Sequence, residues 1–199
     1  MDAPELPVAP PVLRGRRVVL RPPESRDAAV ARRLGRDPAI FRCFGEPTSA
    51  PWRELTVDEA DAFMASLQPT SSEVRWVIEA DGAFIGSARL HSFDPAGPAA
   101  GFAVGILSAA HLGRGLGTEV ARLVLDYAFT TIGLRHVTVR VLAFNERAIA
   151  SYSACGFALQ RREPRSVEID GEWHDDLIMR VDAPGFRASR ALRDALSES

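Results

Sequence analysis

Leu112-Gly113-Arg114-Gly115-Leu116-Gly117-Thr118 lies between an apolar, strand-like run and the most regular helical pattern in the chain. Glycines at alternate positions let the backbone approach a ligand closely and take conformations closed to other residues. The pattern predicts a helix from Thr118, as its cap, to about Ile132, with Val120, Leu123, Val124, Tyr127 and Ala128 on one face and Gly133 ending it. The unpaired N–H groups of such a helix point back at the loop and form an anion site. The stretch therefore reads as a pyrophosphate cradle, with a glycine turn that holds no ligand as the alternative. It is not a P-loop, which ends in Gly-Lys-Ser/Thr, because the chain contains no lysine. Nor is it the dinucleotide fingerprint, which spaces its glycines differently and places an acidic residue about 20 positions on.

A second segment narrows the reading. Asn145-Glu146-Arg147-Ala148-Ile149-Ala150-Ser151-Tyr152-Ser153-Ala154-Cys155-Gly156-Phe157 predicts a short helix with Asn145 as its cap and Gly156 just past its end. Together the two segments resemble the Gcn5-related N-acetyltransferase (GNAT) superfamily. There a glycine loop holds the CoA pyrophosphate, and an Asn…Tyr…Gly-Phe motif follows the next strand. Here Asn145, Tyr152, Gly156 and Phe157 occupy those positions. The resemblance is strongest over residues 99–160 and extends more weakly over 16–182. It implies an α/β (α+β) fold, a mixed twisted central sheet of about seven strands flanked by about four helices. It also implies that strand 136–142 splays away from the strand before the loop, so that the pantetheine arm inserts between them.

Composition bounds the class. A chain of 199 residues, 46% hydrophobic and 25% charged, suits one globular domain with a buried core. A net charge of −2 gives no basic field to recruit nucleic acid. No apolar run spans a membrane, and no basic-then-apolar N-terminus suggests a signal peptide. Cys43 and Cys155, the second inside the predicted helix, read as free thiols in a reducing cytoplasm. The histidines 91, 111, 136 and 174 lack ligand spacing, so no metal site is expected.

Residues 1–14, with prolines at 4, 7, 10 and 11, read as a flexible or extended arm before a domain over 15–182. The domain opens with a strand at 16–21 and a helix capped by Ser25. An irregular segment at 39–56 and a helix from Thr56 or Asp58 to about Leu67 follow. Asp81-Gly82 and Asp170-Gly171 mark hairpin turns, 94–98 is a loop, and 100–107 is an apolar strand of central type. The tail 183–199 contains helix-forming residues near 187–196.

The resemblance also assigns chemistry. Acetyl-CoA is the expected acyl donor, with Leu112, Gly113, Arg114, Gly115, Gly117 and Thr118 around its pyrophosphate. Leu112 departs from the Gln or Arg of the family form. Backbone groups at Ile106 and Leu107 are expected to meet the pantetheine and thioester, and Asn145 both caps its helix and contacts CoA. Tyr152 is the expected general acid for the departing thiolate; its bland alternative is packing. Many relatives carry a carboxylate where this chain has Ala103, so deprotonation of the acceptor needs another group, a water chain, or an acceptor already neutral. Glu46 is one candidate, and His91 and His174 are weaker ones. Phe41, Phe44 and Trp52 either line the acceptor groove or pin their loop.

The opening Arg17-Val18-Val19-Leu20-Arg21-Pro22 and the late Asp170-Gly171-Glu172-Trp173-His174-Asp175 are similar to the Rim-type branch, the ribosomal-protein N-terminal acetyltransferases. That branch leaves the acceptor open among protein N-termini, free amino acids, polyamines and aminoglycosides. The expected activity is acetyl transfer from acetyl-CoA to a primary amine by direct attack in a ternary complex. A non-catalytic CoA-binding module, suggested by Ala103 and Leu112, and a longer donor such as succinyl-CoA are the alternatives. The resemblance also implies a homodimer, with the last hairpin and the tail as contact surfaces.

Overall fold

Asp81-Gly82 and Asp170-Gly171 both adopt positive φ, at 51° and 76° and at 52° and 85°, as a two-residue type I′ hairpin requires. They join β3 (Val74–Ala80) to β4 (Ala83–His91) and β7 (Ala158–Ile169) to β8 (Glu172–Asp182). The other strands are β1 (Leu13–Arg14), β2 (Val18–Arg21), β5 (Ala99–Ile106) and β6 (His136–Leu142). The helices are α1 (Ser25–Leu34), α2 (Pro38–Phe41), α3 (Val57–Ser66), α4 (Leu116–Thr130), α5 (Glu146–Ser153) and α6 (Ala183–Ser197). This computed structural model describes residues 7, 9–94 and 98–197. Parts of the expected arm (1–6 and 8), loop (95–97) and tail (198–199) lie outside the described residues.

One eight-stranded sheet runs in the order β1-β2-β3-β4-β5-β6-β8-β7. Every neighbouring pair is antiparallel except β5 and β6, which run parallel. Strand alternation sends Leu20, Trp76, Ile78, Leu90 and Phe102 into the core beneath α4. Val77 and Phe84 face the other way, into a smaller core with Ala31 of α1 and Met64 of α3.

The mixed sheet and flanking helices match the expected fold, with one more strand and two more helices. The added strand is β1, at the end of the arm read as flexible or extended: Leu13 pairs with Leu20, and Trp76 Nε1 donates to the Pro11 carbonyl at 2.9 Å. Pro10 and Pro11 hide it in the sequence, since proline cannot donate to a ladder. The short α2 lies in the segment read as irregular and is capped by Asp37, whose Oδ1 accepts from the Ala39 amide at 2.9 Å. The tail forms all of α6, buried on the domain through Phe186, whose ring centroid lies 5.6 Å from that of Phe129.

Three local expectations are corrected. Helix α4 starts at Leu116, two residues before the expected cap, because Gly115 (φ 75°) turns the chain into the helix from the left-handed region. The Thr118 hydroxyl instead meets Ser151 Oγ at 2.8 Å and ties α4 to α5. Helix α1 is capped at Glu24 rather than Ser25. Cys155 lies just past α5, buried, its Sγ donating to the Thr118 carbonyl at 3.7 Å, and neither cysteine is in a disulfide.

Candidate active site

Strands β5 and β6 pair only at Ala99↔His136, Ala100↔Val137 and Gly101↔Thr138, whereas β5 stays paired with β4 as far as Ile106↔Gly86. Beyond Gly101, then, β5 and β6 part, and a gap opens through the sheet. Leu107 donates its amide to Ile85 on the β4 side at 2.8 Å. By alternation the amides of Val104 and Ile106 turn toward the gap. Ile106 thus turns its amide to the gap, whereas the Leu107 amide is taken up by β4 and its side chain packs in the α1–α3 core.

Two cavities meet at this gap. One, of about 330 Å³, surrounds the start of α4. The other, of about 640 Å³, runs through the gap to the α1–α3 face. Cys43, Phe44, Val104, Asn145, Ala148 and Tyr152 border both, so the two form a single cleft pinched at Tyr152.

The smaller cavity is built from backbone. Gly113 (φ 72°) and Gly115 (φ 75°) curl the loop, and the first intrahelical bond of α4 is Glu119 N to Gly115 O at 3.1 Å. The amides of Leu116, Gly117 and Thr118 precede it and have no partner within the helix. Leu112, Gly113, Gly115, Gly117 and Thr118 all line this cavity. Arg114 does not. Its carbonyl accepts from Arg17 Nη1 at 2.7 Å, and its guanidinium sits 3.9 Å from Asp81. The sequence reading missed His111 and Arg147, which also line the cavity. His111 is held by Ser108 Oγ at 2.7 Å and approaches Asp81 at 3.5 Å. The signal was available: one precedes the glycine loop and the other follows the Asn145 cap.

Tyr152 projects from α5 onto the junction. Its ring meets Phe102 edge-on at 6.4 Å and Phe157 at 5.5 Å, so two aromatic contacts fix its orientation. It is only 6% exposed. Burial, with a smaller contribution from Cys155, pushes its phenol up to about 12. Asn145 caps α5 as predicted, Oδ1 accepting from the Ala148 amide at 3.2 Å.

Residues 17–158 match the family model of the acetyltransferase (GNAT) domain. The chain belongs to the GNAT family of acetyltransferases. It is 30% identical over 163 residues to spermidine N(1)-acetyltransferase of Escherichia coli (strain K12), covering 81% of this chain and 84% of that protein. Among solved structures it is similar to Mycobacterium smegmatis RimJ in complex with CoA-disulfide, with TM-score 0.74 and 24% identity over 94% of this chain and 95% of that one. It is also similar to spermidine N-acetyltransferase from Vibrio cholerae in complex with CoA and spermine, with TM-score 0.71 and 22% identity over 86% and 99% of the two chains.

The remaining expected residues of this GNAT chain divide. Phe44 is a cleft wall, 48% exposed, and a Cβ on Gly105 would come within 2.9 Å of its ring. Phe41 pins its loop, with the Arg36 guanidinium 4.8 Å above its ring. Trp52 lines neither cavity and donates Nε1 to the Leu34 carbonyl at 3.1 Å. Glu46 forms an ion pair with Arg36 and lines neither cavity. His91 packs against Gly101 and His174 against Phe144, both outside the cleft lining. Burial lowers the His91 pKa, with Arg89 adding to the effect. Among the described residues no three His, Cys, Asp or Glu side chains cluster as metal ligands, and no helix is long and apolar enough to cross a membrane.

Proposed function

We propose that this GNAT acyltransferase moves an acetyl group from acetyl-CoA to a primary amine by direct attack in a ternary complex. The carrying observation is the continuity of the cleft: a glycine cradle at a helix N-terminus and a second cavity meet at one buried phenol. In this reading the α4 amides and the glycine loop hold the pyrophosphate, because oriented N–H groups and the helix dipole favour an anion there. The gap between β5 and β6 takes the pantetheine, and the Ile106 amide polarises the thioester carbonyl. The amine enters through the larger cavity. Its nitrogen bonds to the carbonyl carbon, the C–S bond breaks, and Tyr152 Oη–H donates to the departing thiolate. No carboxylate stands at Ala103, and the Arg36-paired Glu46 has no geometric support as the base. The acceptor proton passes instead to solvent water through the open mouth of the cleft. We place the reaction in a reducing cytoplasm, in keeping with two cysteines outside any disulfide. A homodimer is proposed through the exposed Leu159 and Trp173 of the last hairpin and Leu192 of α6.

The test is release of CoA thiol from acetyl-CoA against N-terminal peptides, amino acids, polyamines and aminoglycosides. Acceptor-dependent release is the expected result. Binding without release for every acceptor would establish the non-catalytic module instead. Release from succinyl-CoA alone would establish the longer donor.

Gly117→Ala separates ligand binding from folding. A Cβ there meets nothing closer than Ser151 Oγ at 4.0 Å, and alanine is the better helix former. The variant is expected to melt at or above the wild-type temperature yet bind CoA about tenfold more weakly, because the methyl intrudes on the phosphate contact. Unchanged affinity by calorimetry would remove the pyrophosphate from this loop.

A further inference from the structure

We propose that the acceptor amine carries a carboxylate of its own, held by the arginines that line the larger cavity. This inference rests on the transferase reading above. Arg75, Arg89 and Ala103 stand in one cross-strand row over β3, β4 and β5. Arg75 and Arg89 line the cavity there, and Arg140 lines it from β6 on the far side of the gap. Two arginines directly opposite one another in an antiparallel pair repel; Arg75 is held by Glu73 and the Ser66 carbonyl, which leaves Arg89 the less compensated of the two.

The neighbouring carboxylates are already engaged by protein groups. Glu73 accepts from Arg75 Nε at 2.8 Å but reaches Arg89 Nη1 only at 3.6 Å, beyond hydrogen-bond distance. That leaves the half-exposed Arg89 guanidinium with the planar fork that matches a carboxylate. Asp176 is the one carboxylate among the described residues lining this cavity. It is 5% exposed, and its Oδ2 already accepts from Arg140 Nε at 2.5 Å and Ser166 Oγ at 2.9 Å. Arg75 is paired with Glu73, and Arg140 with Asp176 and, at 3.4 Å, with Glu163, so Arg89 is the guanidinium left for a ligand. A polycation entering here meets that cation, with Asp176, the cavity's carboxylate, already engaged. An amine bearing a carboxylate meets a complementary charge instead. A free amino acid and an acidic peptide N-terminus both supply that chemistry.

The experiment compares kcat/KM for L-glutamate, for a short N-terminal peptide with glutamate at its second position, for the neutral amide of each, and for spermidine. At least one carboxylate acceptor is expected to exceed its own amide about tenfold or more, chiefly through KM, with spermidine the poorest. The preferred pair identifies the source, amino acid or peptide. Arg89→Gln is expected to bring the carboxylate-to-amide ratio toward one, whereas Arg33→Gln, on the exposed side of α1, keeps it. Amides used as well as carboxylates, spermidine used best, or a ratio that survives Arg89→Gln would each overturn the proposal. Should Arg89→Gln fail to fold, the wild-type ratio still decides. Absence of release with every acceptor would instead overturn the transferase reading, so the two failures are distinguishable.

Discussion

Tyr152→Phe is expected to lower kcat by about 100-fold while leaving the affinity for CoA unchanged, near the lower end of what a positioned proton donor contributes. The substitution removes one oxygen and keeps the ring, so the contacts with Phe102 and Phe157 survive. Burial holds the phenol at about 12, while an ordinary thiol titrates near 8.5. The phenol is thus a weaker acid than the thiol it assists. In the proposed reaction its contribution is a hydrogen bond to the developing thiolate, a charge-assisted contact of about 1.5–3 kcal/mol that exists only as the C–S bond breaks. Such a contact appears in kcat and not in ground-state binding. The raised value also fixes the pH behaviour. Tyr152 stays protonated through pH 10, so it contributes no alkaline fall in kcat below that pH. Steady-state kinetics and CoA titration of the variant check both statements. Equal kcat for the two proteins would reduce Tyr152 to a packing residue.

What the sequence disclosed was mostly backbone conformation. Gly113 and Gly115 need the left-handed region, Asp81-Gly82 and Asp170-Gly171 need a tight turn, and Asn145 needs an amide to accept. Each requirement is local, and each is met where the residue type asked for it. Residues whose roles depend on distant partners were less legible. The strand at 100–107 offered Ile106 and Leu107 equally, and only pairing with β4 decides that Ile106 faces the gap. Arg114 looked like a phosphate ligand because it lies in the loop, yet the loop's curl turns it toward Asp81. The arginines 75, 89 and 140 are 65 positions apart at their extremes and line one cavity only because the sheet order places β3, β4, β5 and β6 side by side.

The buried ion network at the first helix was also invisible in the sequence, and its disruption carries the largest expected loss of stability. Arg21 ends β2 at 7% exposure and forks onto Asp27 of α1, itself 1% exposed, with Nη1–Oδ2 at 2.8 Å and Nη2–Oδ1 at 2.7 Å. Asp27 Oδ2 also accepts from the Glu24 amide at 2.7 Å, and Arg21 Nε donates to Glu79 at 2.7 Å. One carboxylate therefore staples α1 to the sheet and closes the helix N-terminus. Asp27→Asn is expected to destabilise the protein by about 3 kcal/mol or more, because it removes the bidentate carboxylate from a buried guanidinium and leaves Glu79 as its one hydrogen-bonded counter-charge. In a domain of this size that lowers Tm by about 6 °C or more. Burial alone would raise the Asp27 pKa, but the Arg21 hydrogen bonds and charge outweigh it and hold the carboxyl below its ordinary value. A depressed carboxylate contributes stability above its unfolded pKa of about 3.9 and loses it as pH falls through the folded value. The wild-type advantage is thus expected to be full at pH 6–7 and to shrink below about pH 4, where the variant's stability converges on the wild type's. Urea unfolding of both proteins at neutral and acid pH measures the difference. A gap under about 1 kcal/mol at pH 7 would rank this network with exposed surface pairs.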